Sequence, residues 1–226
     1  ADGSLYGTLC ATSTEKKHHS DRGEQVLKLF AGLIAQYIQK ESLVIQLREA
    51  NAALIAHSYT DALTGLPNRR AIFEELTTLF SLAKHLKRNA IIAFIDLDDF
   101  KLINDRYGHE SGDRFLIEVG KRLTEEKQAD EIIGRLGGDE FLVASLSQTN
   151  STGENTQINL LKTRLDARIA GEYWLGSVNI IYPGASFGVI EVDPTVTDPD
   201  SALRAADVAM YQHKKGKSKT CFLAMD

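Results

Sequence analysis

From Val26 onward, apolar residues recur with a period near 3.5. Val26, Leu33, Lys40, Leu47 and Leu54 fall on one heptad position, and Phe30, Tyr37, Val44, Asn51 and Ser58 on its partner. No proline interrupts the chain before Pro67. The pattern predicts a helix over residues 24–60, too long for one small core to cover. Its seam suits a parallel two-stranded coiled coil, with Asn51 setting register at some cost in stability. Asp21 and Glu24 have capping-box spacing at the start. Upstream, residues 5–11 read as a short strand, the last of a domain cut off before it. A polar break holding His18 and His19 follows, a pair more often solvated than metal-bound.

Gly65 and Pro67 end the long helix, and Asn68 is placed to cap the next one. That helix, residues 70–87, carries Ile72, Phe73, Leu76, Leu79, Phe80, Ala83 and Leu86 on one face. The continuous apolar run over 90–96 predicts a strand buried on both faces. A helix over 113–126 points Leu116, Val119 and Leu123 inward. Strands over 132–136 and 141–146 flank a Gly-Gly turn, and 147–155 is a polar loop. A helix over 156–170 follows, then strands over 178–181 and 185–192. Asp198 and Pro199 open a helix as N-cap and first residue, running to about 213, before a final strand over 220–224. From residue 61 the order is α-β-α-β-β-α-β-β-α-β. It contains a βαββαβ core, so the expected class is α+β with a ferredoxin-like central antiparallel sheet backed by helices.

The hairpin Arg135-Leu-Gly-Gly-Asp-Glu-Phe-Leu-Val143 carries the densest chemistry. Glycine supplies the φ > 0 geometry of a tight turn and lets a ligand approach the backbone. Asp139 and Glu140 follow directly, and Mg²⁺ prefers one or two carboxylates together with substrate phosphates. Taken alone, these nine residues fit a surface turn with solvated acids equally well. A second acidic cluster, Asp96-Leu-Asp-Asp-Phe-Lys101, ends the apolar strand and tips the reading toward a metal-plus-phosphate site. Asn104, His109 and Asp113 follow, in a loop shaped by Gly108 and Gly112. An amide and a carboxylate can together read guanine: Asn donates to O6 or N7, and Asp accepts from N1–H and the exocyclic amine. The basic stretch Lys214-Lys-Gly-Lys-Ser-Lys219 is either a solvated tail or a neutraliser of phosphate oxygens.

Composition narrows the partners. The 226 residues are 43% hydrophobic and 25% charged, the profile of a globular protein, with a net charge of −5 that advertises no nucleic-acid binding. No apolar run approaches the ~20 residues of a membrane span, and no secretory leader is visible. Two cysteines, Cys10 and Cys221, lack metal-ligand spacing and suit a reduced, cytoplasmic setting.

Residues 61–226 resemble the GGDEF diguanylate cyclases. The likeness rests on Gly137-Gly-Asp-Glu-Phe141, Asp61-Ala-Leu-Thr64, Asn68-Arg69, Phe94-Ile-Asp-Leu-Asp98, Phe100-Lys101, Asn104-Asp105, Gly108-His109 and Gly112-Asp113. Gly7-Thr-Leu-Cys-Ala11, running into the long helix, is similar to the tail of a GAF sensor domain and its signalling helix. The whole resembles the C-terminal part of an enterobacterial GAF–GGDEF protein. The implied division is a GAF remnant over 1–20, a coiled-coil linker over 21–60 and a cyclase domain over 61–226.

The resemblance implies condensation of two GTP into cyclic di-GMP, with release of two pyrophosphates, in a homodimer whose two half-sites face each other. It implies two Mg²⁺ or Mn²⁺ per half-site, held by Asp96, the Leu97 carbonyl, Asp139 and Glu140. Asp139, Glu140 and Lys101 would be catalytic, with Asp139 helping to deprotonate the 3′-hydroxyl. Asn104, His109 and Asp113 would bind the nucleotide, Lys101, Lys214 and Lys217 its phosphates, and Gly137 and Gly138 would let it lie against the hairpin. Two departures stand out. Gln128 and Glu131 occupy the places of the Arg and Asp through which the family is inhibited by product, so that inhibition is expected to be weak or absent. Ser218 stands where a phosphate-binding Arg is expected, with Lys217 one residue early. The rival reading is a degenerate GGDEF module that binds nucleotide or a partner without catalysis.

Overall fold

The computed structural model describes residues 7–10, 12, 20–125, 127–148, 154–176, 178–217 and 223–225, without the side chains of 49–58, 154–155 and 223–225. The chain divides into two units, 1–56 and 57–226. In the first, residues 7–10 are not a strand; the rest of the strand expected over 5–11, like His18 and His19, lies outside the described residues. Helix α1, Asp21–Tyr59, begins at the expected cap itself, so the cap falls one residue earlier. Ser20 Oγ accepts the Gly23 N–H at 3.2 Å and its carbonyl accepts the Glu24 N–H at 3.2 Å. Asp21 and Glu24 instead sit in the first turn, where their charge suits the helix dipole. On the seam, Val26, Phe30, Leu33, Tyr37 and Leu47 are 43–71% exposed. The side chains of Asn51, Leu54 and Ser58 lie outside the described ones.

The second unit continues with α2 (Arg69–Leu86), β1 (Ala90–Asp96), α3 (Phe100–Tyr107), α4 (His109–Glu125), β2 (Ile132–Gly137) and β3 (Glu140–Leu146). Then come α5 (Glu154–Ile169), β4 (Gly171–Trp174), β5 (Asn179–Tyr182), β6 (Ser186–Val192), α6 (Pro199–Gly216) and β7 (Leu223–Met225). The central sheet has the order β2-β3-β1-β6, antiparallel at every pairing. This is the expected ferredoxin-like βαββαβ arrangement. A smaller sheet, β4-β5-β7, stands apart from it.

Strand β1 is buried on both sides because each face meets a different helical layer. Ile91, Ala93 and Ile95 pack with residues of α4 and α5 such as Phe115, Leu123 and Leu165. Ala90, Ile92 and Phe94 pack with residues of α2 and α6 such as Leu76, Phe80 and Ala206. Burying a β1 side chain of this size stabilises by about 1.5–3 kcal/mol relative to exposure. Asn68 caps α2, its side chain accepting from the N–H groups of Arg70 and Ala71. Asp198 caps α6 through the Ser201 N–H at 2.9 Å, and that helix runs past 213 to Gly216.

Some expectations fail in detail. Phe73 and Leu86 of α2 are exposed, leaving Ile72, Leu76, Leu79, Phe80 and Ala83 as the inward stripe. Asn104 lies in helix α3 rather than a loop, while Gly112 and Asp113 belong to the start of α4. The pattern could not announce α3, because Ile103 is its one buried residue. Strand β4 escaped for the same reason, with only Tyr173 buried.

Candidate active site

The acid cluster is assembled by strand register. Asp96, at the end of β1, lies directly across from Glu140 at the start of β3. The turn between β2 and β3 passes through Gly137 (φ 143°) and Gly138 (φ 52°), conformations that side-chain-bearing residues rarely adopt. A Cβ at either would meet nothing within 4 Å, so the space over the turn is open. The Asp139 carbonyl accepts the Leu97 N–H at 3.2 Å, which ties the hairpin to the loop leaving β1.

A fork of hydrogen bonds holds the turn in place. Arg135 donates from Nε (3.0 Å) and Nη2 (2.6 Å) to the Gly138 carbonyl, and from Nη1 (2.8 Å) to Asp61 Oδ1. The same oxygen of Asp61 accepts from the Thr64 N–H and hydroxyl. Burial alone would raise the Asp61 carboxyl, but Thr64 and Arg135 outweigh it and hold the group below the usual range. The tie is therefore strongest above the ordinary carboxylate range and is lost as pH falls through the depressed value. Arg135→Lys removes the fork and is expected to cost about 2 kcal/mol, read by urea denaturation, because a point ammonium cannot serve both acceptors.

The electrostatics are those of crowded acids. Burial raises the Asp96 carboxyl above its usual range; Lys214 opposes this and Asp139 and Asp98 add to it. Burial also raises Glu140, reinforced by the charges of Asp139 and Asp96 and opposed by Arg69. Lys214, near the end of α6, donates to Asp96 Oδ1 at 2.5 Å, and that pairing keeps its ammonium above the ordinary range although burial pulls the other way. Among the described residues, no three carboxylate, imidazole or thiol groups converge as a ready metal cage. The donor set nevertheless fits a hard cation: two half-buried acids face each other at an open glycine turn, with a third acid beside them.

Asp98 points elsewhere. Its Oδ1 accepts from Ser186 Oγ at 2.7 Å, its Oδ2 from Lys217 Nζ at 2.9 Å, and its carbonyl from the Tyr182 hydroxyl at 2.9 Å. Lys217 also donates to the Ala185 carbonyl at 2.6 Å. The loop then enters α3, where exposed Lys101 stands one turn before Asn104. A Cβ built on Gly112 would lie 1.9 Å from Asn104 Oδ1, so the missing side chain is the seat of the Asn104 amide. Asp113 is next in the chain and exposed, as is His109 at the start of α4.

Residues 58–220 match the family described as diguanylate cyclase, GGDEF domain. The chain belongs to that family. It is 69% identical over 223 residues to the diguanylate cyclase DgcP of Escherichia coli (strain K12), covering 99% of this chain and 64% of DgcP. The chain thus spans somewhat less than two thirds of that relative. Among solved structures, the coiled coil and GGDEF domain of DgcB from Caulobacter crescentus, in complex with c-di-GMP, superposes with a TM-score of 0.71. It shares 25% identity, over 81% of this chain and 95% of that one. A sensory box/GGDEF family protein from Caulobacter crescentus gives a TM-score of 0.64 at 30% identity, over 70% of this chain and 99% of its own.

Within this GGDEF domain, Asp96, Asp139, Glu140 and Lys214 share one location, and Asn104 meets the helix that carries Asp113. Glu131 is turned inward. It pairs with Arg164 and accepts the Gln128 N–H at 3.0 Å, with none of its side chain exposed. Three contributors escaped sequence reading. The Arg135–Asp61 fork joins residues 74 positions apart, and the ties of Asp98 to Ser186 and Lys217 span 88 and 119. Gly112 reads in sequence as a loop-shaping glycine and as part of the Gly112-Asp113 motif, neither of which shows that it seats Asn104. No described helix is long and apolar enough to cross a membrane.

Proposed function

We propose that the chain condenses two GTP into cyclic di-GMP, releasing two pyrophosphates, at a site completed by two subunits. The reading is carried by the Asp96–Glu140 cross-strand pair with Asp139 at the glycine turn, in a GGDEF domain 69% identical to a protein named as a diguanylate cyclase. Asp96, the Leu97 carbonyl, Asp139 and Glu140 would hold two Mg²⁺ or Mn²⁺ per GTP. Bound metal supplies neutralisation of the charge that develops on the phosphoryl oxygens. Asp139 accepts the proton of the attacking 3′-hydroxyl. Lys101 and Lys214 steady the triphosphate, with Lys214 released from Asp96 as it does so. Asn104 and Asp113 read the guanine edge, and His109 lines the nucleotide at the head of α4. The open turn at Gly137 and Gly138 receives the nucleotide against its backbone.

Each subunit supplies one GTP, so the exposed seam of α1 is the dimerisation element, with residues 21–60 as linker and 61–226 as the cyclase domain. Residues 1–20 would be the end of a GAF sensor. GTP as substrate places the reaction in the cytoplasm. Incubation of the chain with GTP and Mg²⁺, followed by anion-exchange chromatography, is expected to yield cyclic di-GMP and pyrophosphate. GTP that binds and is recovered unchanged would instead mark a degenerate binding module. ATP consumed as readily as GTP would remove the guanine-reading roles of Asn104 and Asp113.

A further inference from the structure

Of the three aspartates in Asp96-Leu-Asp-Asp99, one meets Lys214, yet its neighbour two positions on has both carboxylate oxygens engaged by side chains of other elements. Ser186 Oγ reaches Asp98 Oδ1 at 2.7 Å and Lys217 Nζ reaches Asp98 Oδ2 at 2.9 Å. Lys217 spends a second donor on the Ala185 carbonyl at 2.6 Å, so two of the three N–H bonds of its ammonium are used inside the chain. These contacts close the far end of α6 onto β6 and the β1–α3 loop.

The rest of α6 is already pinned. A Cβ on Gly188 of β6 would lie 1.9 Å from the Ala206 carbonyl, so helix and strand touch backbone to backbone there. The Phe187 N–H donates to His213 Nδ1 at 3.1 Å. Lys214 therefore stands between two tethers, His213 immediately before it and Lys217 three residues after. The tethers hold the backbone from which its flexible stem extends, and so limit where the ammonium can reach.

We propose that Asp98 is a positioning residue: through Lys217 it fixes the last turn of α6, and so sets the ammonium of Lys214 over the acid cluster where the triphosphate binds. Lys217 serves as the anchor and Lys214 as the phosphate cation. The assignment rests on the GTP-condensing reading above. It accounts for a basic residue standing one place early relative to the family pattern, since this lysine is aimed at Asp98 and Ala185.

The test uses the full chain, with steady-state turnover of GTP, equilibrium binding of a non-hydrolysable GTP analogue and a thermal melt for each variant. Asp98→Asn keeps the Ser186 contact and removes the charge opposite Lys217. It is expected to raise KM and the analogue Kd about tenfold while kcat stays within about twofold, the signature of lost ground-state positioning. Lys217→Met should reproduce that shift, the double variant should be no worse than either single one, and Lys217→Arg should restore most of the affinity. Effects of the two substitutions that multiply would overturn the proposal, because Lys217 would then act on the nucleotide by itself. So would an Asp98→Asn variant with parental KM and Kd. A parent chain that neither binds nor turns over GTP would overturn the cyclase reading and this pair with it, whereas an active parent with an indifferent Asp98→Asn sinks the pair alone.

Discussion

Asp139→Ala is expected to lower GTP turnover by about a thousandfold or more while the domain stays folded. The side chain is lost, but the backbone contact that ties the hairpin to the loop after β1, Leu97 N–H to the Asp139 carbonyl, is made by atoms that alanine retains. Circular dichroism and melting should therefore match the parent chain, and cyclic di-GMP formation should not. Substantial product from this variant would refute the role given to Asp139.

Glu140→Gln separates activity from stability in the same cluster. Glu140 is raised by burial first, and by Asp139 and Asp96 next, so the folded state holds its proton more tightly than the unfolded chain does. Stability from this group is present at low pH and declines as pH rises from the ordinary glutamate range through the raised folded value. At pH 7 the ionised carboxylate is a net cost, and glutamine removes it. Turnover should collapse while the melting temperature rises by about 2–4 °C, provided metal and nucleotide are absent from the melt.

Gly112→Ala carries the second large effect. Its new methyl group would lie 1.9 Å from Asn104 Oδ1 and 2.9 Å from Asn104 Cγ. The nearest clash is with the end of a flexible side chain, so the domain relieves it by rotating Asn104, at little cost to folding and with some gain in helix propensity. What is lost is the placement of the amide proposed to read guanine. GTP affinity is expected to fall about 10–100-fold and the preference for GTP over ATP to shrink, since a site built to hydrogen-bond its ligand discriminates through those groups. Competition binding of GTP and ATP measures both. Unchanged guanine preference would detach Asn104 from base recognition.

The site was legible in sequence wherever its residues are neighbours in the chain. Asp139 and Glu140 announce themselves because the glycines beside them demand positive φ, and Asp96 because an apolar strand ends on it. The Asp96–Glu140 pairing itself came from the structure, because β1 and β3 are apolar on both faces and such a pattern does not say which residues lie opposite. Asp98 likewise needed the structure. By strand spacing it would share a face with Asp96, but β1 ends at Asp96 and Asp98 lies in the turn before α3, where its side chain meets Ser186 and Lys217 instead. The helix α3 was hidden because its single buried residue, Ile103, leaves no period to detect.

By itself, the sequence determined the βαββαβ order, the two-faced burial of β1, the glycine turn and the family to which the domain belongs. These depend on local periodicity, backbone conformation and short motifs, all of which act over a few residues. Only the tertiary structure decided that Arg135 would brace the turn from Asp61, that Gly112 would seat Asn104, and that α6 would bring Lys214 to Asp96. Those contacts join residues far apart in the chain. They exist because two helical layers must cover the two faces of one sheet, and that packing sets which side chains meet at its edge.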